Sequence, residues 1–369
     1  MMADVRQGVK RLLALTLSAG LALSGTLAQA NPHILVDMRT GKVIEHEDAF
    51  QKWYPASLTK LMTAYVAFRQ IETGKASLST PIVMSKLSSS QPASKMYLKP
   101  GDSMTLDDAL KLLLVKSAND IAYAIAENLG GSVENYVGMM NAEAANLGMT
   151  SSHFINPNGM PGKGQYTTAR DLAILTLTLR HRYPQYSGYF GIEGLKVGKK
   201  QIPNYNKLIG RFDGADGMKT GFICASGFNQ VSTATRDGRQ VLSVVLGSDS
   251  LVGRAEQSAS LLEKGLSINS DGGMPRIDRL PAYGAGREMV ADISDDICPK
   301  KGKKKVRSEG HDEVSMRVQS PYLKPITRPL VLSLVTITPA GKTAGADAPE
   351  ATVDDVSARI PIPEPRPIN

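Results

Sequence analysis

The sequence predicts an α/β protein, and three observations carry that prediction. Two β-type regions, at 33–47 and 219–247, each turn on a short polar connection containing glycine. Between and after them lie stretches with apolar residues at spacings of three and four, the period of helices buried along one face. The composition, 42% hydrophobic and 21% charged, suits a chain with a sizeable core and excludes collagen-like, coiled-coil and disordered classes. At roughly 150 residues per domain, 369 residues give a prior of two domains, although one α/β domain of about 250 residues also fits.

Taken in order, residues 2–30 carry Arg6, Lys10 and Arg11, then an apolar stretch at 12–27, then Ala28-Gln29-Ala30, the pattern a signal peptidase accepts. Export with cleavage after Ala30 is expected. The apolar stretch, broken by Gly20 and Gly25, falls short of the ~20 residues of a membrane-spanning helix. Residues 33–37 and 43–47 then read as a hairpin around Arg39-Thr40-Gly41-Lys42. From Ser57, the residues Leu58, Leu61, Met62, Tyr65 and Val66 mark a helix closed by Thr73-Gly74. Helical signals follow at 105–115, 118–129, 133–147 and 168–182, the last two separated by an irregular stretch at 156–166 rich in Pro and Gly. Asp237-Gly238 marks a hairpin between two β-rich runs, and 251–266 reads as a closing helix. No internal repeat is visible. The expected organisation is a signal peptide at 1–30, one domain at 31–268, and a Pro/Gly/Lys-rich extension at 269–369, largely irregular or disordered, with one β-type run at 329–337.

The formal net charge is +8, and removing residues 1–30 leaves 40 basic against 34 acidic residues, or +6. Six of those basic residues are clustered: Lys300, Lys301, Lys303, Lys304, Lys305 and Arg307. The remainder is nearly neutral, so a nucleic-acid binder is not indicated. The five histidines have no metal-ligand spacing and no Gly-x-Ser-x-Gly elbow occurs after residue 30, so neither a metal, another cofactor nor a Ser-His-Asp mechanism is expected. The two cysteines, Cys224 and Cys298, allow one bridge in an oxidising compartment and no disulfide framework.

Chemistry points to Ser57-Leu58-Thr59-Lys60. Residues three apart on a helix share a face, which brings a hydroxyl and an amine together. A serine hydroxyl is a poor nucleophile until a neighbouring base takes its proton, and a lysine serves if burial or another cation disfavours its charged form. Ser57 is the only serine followed three residues later by lysine. Alone, the pair reads equally as a helix cap and a solvated lysine. Ser117-Ala118-Asn119 lies 60 residues downstream at a helix entrance, and Lys219-Thr220-Gly221 opens a β-run further on. Order, spacing and local structure together make the three elements a strong signal.

With these elements, 31–268 resembles the low-molecular-mass penicillin-binding proteins, serine-type D-alanyl-D-alanine carboxypeptidases of peptidase family S11, for which Ser-x-x-Lys, Ser-x-Asn and Lys-Thr-Gly form a set. Tyr54-Pro55-Ala56, Leu98-Lys99-Pro100-Gly101-Asp102, Asn158-Gly159, the stretch 165–171 and Asp216-Gly217-Met218 add to the likeness. The resemblance implies a β-lactamase/DD-peptidase-like fold, three-layer α-β-α with a mainly antiparallel five-stranded sheet, plus a helical lobe. It implies removal of the terminal D-Ala from peptidoglycan pentapeptide through a Ser57 acyl-enzyme, with β-lactams as covalent inhibitors, in the periplasm. Ser57 would be the nucleophile, Lys60 its base and Ser117 the proton relay to the leaving amine. Asn119 would bind the substrate backbone, Lys219 and Thr220 the terminal carboxylate, and Gly221 would allow close approach. The backbone N–H groups of Ser57 and Phe222 would form the oxyanion hole.

Some relatives carry an arginine between two asparagines before the Lys-Thr-Gly strand, where this chain has Asn204-Tyr205-Asn206; Tyr205 is expected to pack or lie in a loop. Many also carry a second β-domain, hinted at only by 329–337, and a C-terminal amphipathic anchor that the sequence does not suggest. The competing readings are a DD-endopeptidase, a class A-like β-lactamase, disfavoured because no Glu-x-x-Leu-Asn segment occurs, and a non-catalytic cell-wall scaffold. Cys224 and Cys298 would either bridge, tying the extension to the domain, or remain thiols with Cys224 buried. The cluster from Lys300 to Arg307 reads first as a solvated linker and second as a weak contact to an anionic membrane or wall surface.

Overall fold

In chain order, the computed structural model, which describes residues 31–268, 275–298 and 320–341, begins with the hairpin β1 (His33–Asp37) and β2 (Val43–Glu47). A 3-10 turn at Ala56–Leu58 runs into α1 (Thr59–Glu72). Then come β3 (Pro81–Val83), α2 (Lys86–Ser89), β4 (Ser103–Thr105), α3 (Leu106–Lys111) with a π-helical turn at Leu112–Lys116, α4 (Asn119–Gly130), α5 (Val133–Asn146) and α6 (Ala169–Arg182). The second half holds β5 (Gly194–Val197), β6 (Lys200–Pro203), β7 (Ala215–Ile223), β8 (Gly227–Arg236), β9 (Arg239–Ser248), α7 (Leu251–Ser267), α8 (Ser294–Ile297) and β10 (Leu332–Val335).

Helix starts follow the side chains that cap them. Thr105, Ser132, Thr168 and Ser250 each accept a backbone N–H three residues on, at the entrances of α3, α5, α6 and α7. Asp237 and Gly238 both have positive φ, the geometry of the tight hairpin joining β8 to β9.

The main sheet has the order β2-β1-β9-β8-β7, antiparallel throughout. Its strands alternate between two cores. Ile34 and Val36 of β1 and Leu242, Val244 and Leu246 of β9 join α1 and α6, whereas Leu35, Val241 and Val245 join Ala255, Ala259 and Leu262 of α7. Each fully buried Val, Leu or Ile contributes about 1.5–3 kcal/mol, and a one-residue slip would turn both sets to the wrong layer. The result is the expected three-layer α-β-α arrangement with a five-stranded antiparallel sheet. Against α1 packs the helical lobe of α2 to α5, where Tyr136 donates to the Thr63 carbonyl at 2.7 Å.

Several differences from the sequence reading have local causes. The β-rich run before Asp237 is two strands, β7 and β8, because Cys224, Ala225 and Ser226 form a turn; Cys224 thus lies just past the strand. The short strands β3 to β6 are too brief to show a period. The run at 329–337 does not form a separate β-domain: its β10 pairs in parallel with β5 in a three-stranded sheet, β10-β5-β6. The described parts of the extension have little regular structure yet pack onto the domain, with Ile297, Leu323 and Val335 buried. Cys224 and Cys298 are joined by a disulfide. Residues 1–30 and the cluster from Lys300 to Arg307 lie outside the described residues. No described helix is long and apolar enough to cross a membrane.

Candidate active site

The site forms where β7, the last strand of the sheet, meets the start of α1 and the helical lobe. The segment leading to Ser57 is pinned from several sides: Trp53 Nε1 donates to the Ser226 carbonyl at 2.9 Å, Asn229 Nδ2 to the Tyr54 carbonyl at 3.0 Å, and Trp53 N to the Thr167 carbonyl at 2.8 Å. Ala56, just before Ser57, takes a left-handed φ of 47°, a conformation uncommon for residues with a side chain and frequent at functional turns. Ser57 itself is half-buried in the 3-10 turn.

Lys60, on the first turn of α1, is completely buried. Its Nζ donates to Ser57 Oγ at 2.9 Å, to Asn119 Oδ1 at 2.8 Å and to the Asn158 carbonyl at 2.8 Å. One amine therefore links Ser-x-x-Lys to Ser-x-Asn and to the Asn158-Gly159 turn. That turn needs glycine: a Cβ on Gly159, at φ +86°, would lie 1.8 Å from the Ala56 carbonyl oxygen.

Ser117 also has left-handed backbone, at the end of the π-helical turn, and Thr220 lies on β7; both are 1% exposed, and neither hydroxyl has a hydrogen-bond partner among the described residues. Unsatisfied buried hydroxyls are costly and call for a partner, which a substrate would supply. Lys219 is 2% exposed and its Nζ donates to the Thr220 carbonyl at 2.8 Å. Gly221 approaches the Ser57 turn so closely that a Cβ there would lie 3.0 Å from Ser57 N and 3.1 Å from both Leu58 N and Pro55 O. Phe222 follows on β7, its ring 4.3 Å from that of Phe228. The structure thus brings Ser57 and Lys60 to one point with Asn119, and sets Gly221 beside Ser57 on the strand that carries Lys219, Thr220 and Phe222.

Of the supporting residues, Asp216 was part of the Asp216-Gly217-Met218 stretch noted in the sequence, whereas Asp120 and Arg254 were not singled out there. Asp120 is buried and its carboxylate accepts from the backbone N–H groups of Met96, Tyr97 and Ile121, while Asn119 N donates to the Ser94 carbonyl at 2.7 Å. Burial pushes the Asp120 carboxyl up, against the pull of those donors. Together these bonds lash the 92–97 loop to the Ser-x-Asn element. Arg254 of α7, 1% exposed, lies behind β7, its NH1 3.4 Å from the Gly221 carbonyl. Asp216 accepts from Thr233, Thr235 and Arg180, which fixes the approach to Lys219. For Asp120 the only signal was its adjacency to Asn119. Among the described residues no cluster of three or more His, Cys, Asp or Glu is gathered as a metal site.

A serine and a buried lysine at the edge of an antiparallel sheet, enclosed by helical layers, define the penicillin-binding and DD-peptidase class of fold. Within that class the chain belongs to the D-alanyl-D-alanine carboxypeptidase family, peptidase S11, which it matches over residues 22–250. It is 36% identical over 243 residues to the D-alanyl-D-alanine carboxypeptidase DacC of Escherichia coli, covering 64% of this chain and 61% of that protein. Of solved structures, the DacD carboxypeptidase of Francisella tularensis superposes with a TM-score of 0.63 at 32% identity, over 65% of this chain and 70% of that one. Penicillin-binding protein D2 of Listeria monocytogenes, solved in its ampicillin-bound form, gives 0.60 at 26% identity, over 64% and 97%. The chain spans a little over three-fifths of the length of the curated relatives it matches first, 61–63%.

Proposed function

We propose that the protein is a serine D-Ala-D-Ala carboxypeptidase that releases the terminal D-Ala of peptidoglycan pentapeptide and is acylated by β-lactams. The observation that carries this reading is Lys60 Nζ, fully buried and 2.9 Å from Ser57 Oγ. To act as base the amine must be neutral, with its lone pair toward Ser57 Oγ and its two N–H groups kept by Asn119 Oδ1 and the Asn158 carbonyl. Ser57 Oγ attacks the carbonyl of the penultimate D-Ala while its proton passes to Lys60. The oxyanion of the tetrahedral intermediate is met by the Ser57 and Phe222 N–H groups, where the loss of one donor costs about 10²–10³ in turnover. Ser117 relays a proton to the departing D-Ala nitrogen, and its unpartnered hydroxyl suits that task. Water then cleaves the acyl-enzyme. Asn119 Nδ2 and the edge of β7 hold the peptide backbone, and Lys219 with the unpartnered Thr220 hydroxyl receives the terminal carboxylate.

The reading includes export to the periplasm with cleavage after Ala30. Its support is the targeting pattern of residues 2–30 together with the Cys224–Cys298 bridge, a feature of oxidising compartments. The deciding experiment is intact mass spectrometry of the mature protein after brief penicillin treatment. A penicilloyl adduct mapping to Ser57, absent in Lys60→Ala, with D-Ala released from pentapeptide, is the expected result. An adduct elsewhere, or none with no D-Ala released, overturns the reading; rapid turnover of the antibiotic would instead identify a β-lactamase.

A further inference from the structure

Lys116 ends the π-helical turn immediately before Ser117. It is half-buried, and its Nζ donates to Tyr205 Oη at 2.5 Å while lying 5.0 Å from the centroid of that ring. Among the described residues no carboxylate pairs with it. This sets Lys116 apart from Lys111, one turn earlier, which is held by Asp107 and Asp108.

Tyr205 is placed with equal definition. It is 6% exposed and flanked by two asparagines whose side chains fix the backbone: Asn204 Nδ2 donates to the Ile192 carbonyl at 2.8 Å, and Asn206 Nδ2 to the Gly217 carbonyl at 2.9 Å. Gly217 is two residues before Lys219 on β7. The Lys116–Tyr205 contact therefore spans from the residue beside Ser117, on the lobe side, to the sheet edge that leads into Lys219 and Thr220.

Resting on the carboxypeptidase reading above, we propose that Lys116, steadied by Tyr205, is a specificity-determining cation that binds the substrate's terminal carboxylate together with Lys219 and Thr220. An ammonium has three N–H donors, and the phenol takes one, leaving two for an anion. A phenol oxygen holds the lysine without neutralising it, whereas an acidic partner would have cancelled the charge the carboxylate needs. The Ser117 hydroxyl follows Lys116 directly, and the Thr220 hydroxyl lies on β7, to which Asn206, next to Tyr205, is bonded at Gly217; neither hydroxyl has a partner among the described residues, and both are donors for the anion in this assignment. Tyr205 thus acts through Lys116, as a positioning residue rather than the loop filler its place in the sequence suggests.

The test compares two substrates, a peptide ending in D-Ala-D-Ala and the same peptide ending in D-alaninamide, by kcat/KM in mature wild-type protein, Lys116→Met, Lys116→Arg and Tyr205→Phe. The acid-to-amide preference is expected to fall about tenfold in Lys116→Met, to recover to within about threefold in Lys116→Arg, and to fall about threefold in Tyr205→Phe. Raising ionic strength should weaken the acid substrate's kcat/KM less in Lys116→Met than in wild type. An unchanged preference in Lys116→Met, or equal losses on both substrates in Lys116→Met and Lys116→Arg, would overturn the assignment. A wild-type protein that releases no D-Ala at all would fail at the carboxypeptidase reading instead.

Discussion

Breaking the Cys224–Cys298 bridge, by mild reduction or in a Cys224→Ser/Cys298→Ser variant, is the perturbation whose size the structure allows to be worked. The two residues are 74 apart in sequence. In the chain-entropy treatment, opening a loop of that length returns about 15 cal/mol/K to the unfolded chain, or about 4.5 kcal/mol at 25 °C. For domains of this order each kcal/mol shifts the melting temperature by about 2–4 °C, so a fall of about 9–18 °C is expected. The 275–298 segment also has non-covalent anchors that survive reduction: Tyr283 Oη bonds to His46 Nδ1 at 2.7 Å, Ala291 N to the Lys52 carbonyl at 3.0 Å, and Ile293 N to the Ala225 carbonyl at 3.1 Å. These keep the segment docked in the folded state, so the effect falls on the unfolded chain and the initial rate of acylation at 25 °C should change less than twofold. The assay is scanning calorimetry of the mature protein with and without reductant, alongside fluorescent-penicillin acylation. A melting temperature lowered by less than about 3 °C, in a protein whose thiol titration confirms reduction, would refute the reasoning.

Three further outcomes follow from single contacts. Gly221→Ala places a methyl against three backbone atoms of the Ser57 turn, so acylation by penicillin should fall about 10²-fold with a small change in melting temperature; retention of wild-type acylation would contradict the close approach of β7. Asp120→Asn turns an N–H donor toward groups that are themselves donors, which should cost about 2 kcal/mol and expose the 92–97 loop to proteolysis, read by denaturant unfolding and limited digestion. The Arg328 guanidinium beside Glu193, aided by the Val331 N–H, holds that carboxyl below its ordinary 4.5. Its contribution is therefore present above pH 4.5 and lost as pH falls through the lower folded-state value. Hydrogen exchange at 328–335 should accelerate there in wild type, and Glu193→Gln should already be fast at pH 6; exchange independent of both changes would refute the assignment.

How legible the protein was in its sequence depended on the range of the forces involved. Helices α5 and α7 were readable because each buries one face along a 3.6-residue period, and α1, α4 and α6, buried over most of their surface, because their apolar residues still recur at spacings of three and four; α1 and α4 also end at the local signals Thr73-Gly74 and Gly130-Gly131. The β8–β9 hairpin was readable because Asp237-Gly238 is a local turn. The β7–β8 boundary was not: its turn, closed by the Ser226 N–H on the Ile223 carbonyl and by Gly227 at φ 62°, lies within an otherwise continuous β-type run, and Trp53, far away in sequence, adds a bond to the Ser226 carbonyl. At the site, Ser57, Lys60, Ser117, Asn119 and Lys219 stood out by motif. Asn158-Gly159 was noted as part of the likeness, but its bond to Lys60 runs through the Asn158 carbonyl, a main-chain contact that no side-chain pattern reports. Tyr205 and Lys116 were opaque for another reason: each is ordinary in its own segment and gains meaning only from the other, 89 residues away.

The extension was the least legible part, and its mode of attachment explains why. Residues 320–341 contribute few buried apolar side chains, so hydrophobic pattern finds little there. They dock instead through main-chain N–H groups received by acidic side chains of the domain: Val331 N by Glu193 at 2.9 Å, Thr336 N by Asp108 at 3.1 Å and Ala340 N by Asp102 at 3.1 Å. Each carboxylate reads in sequence as a solvated charge, yet each accepts from a segment more than a hundred residues distant. The attachment also links parts that must stay in register for catalysis. β10 joins β5, the strand whose partner β6 leads into Tyr205, while Thr336 and Ala340 reach the lobe at α3 and at the entrance of β4. A segment fixed to both sides limits their separation without touching the reacting groups. Its weakening would show first as slower acylation with an unchanged Ser57–Lys60 pair, rather than as a loss of the nucleophile.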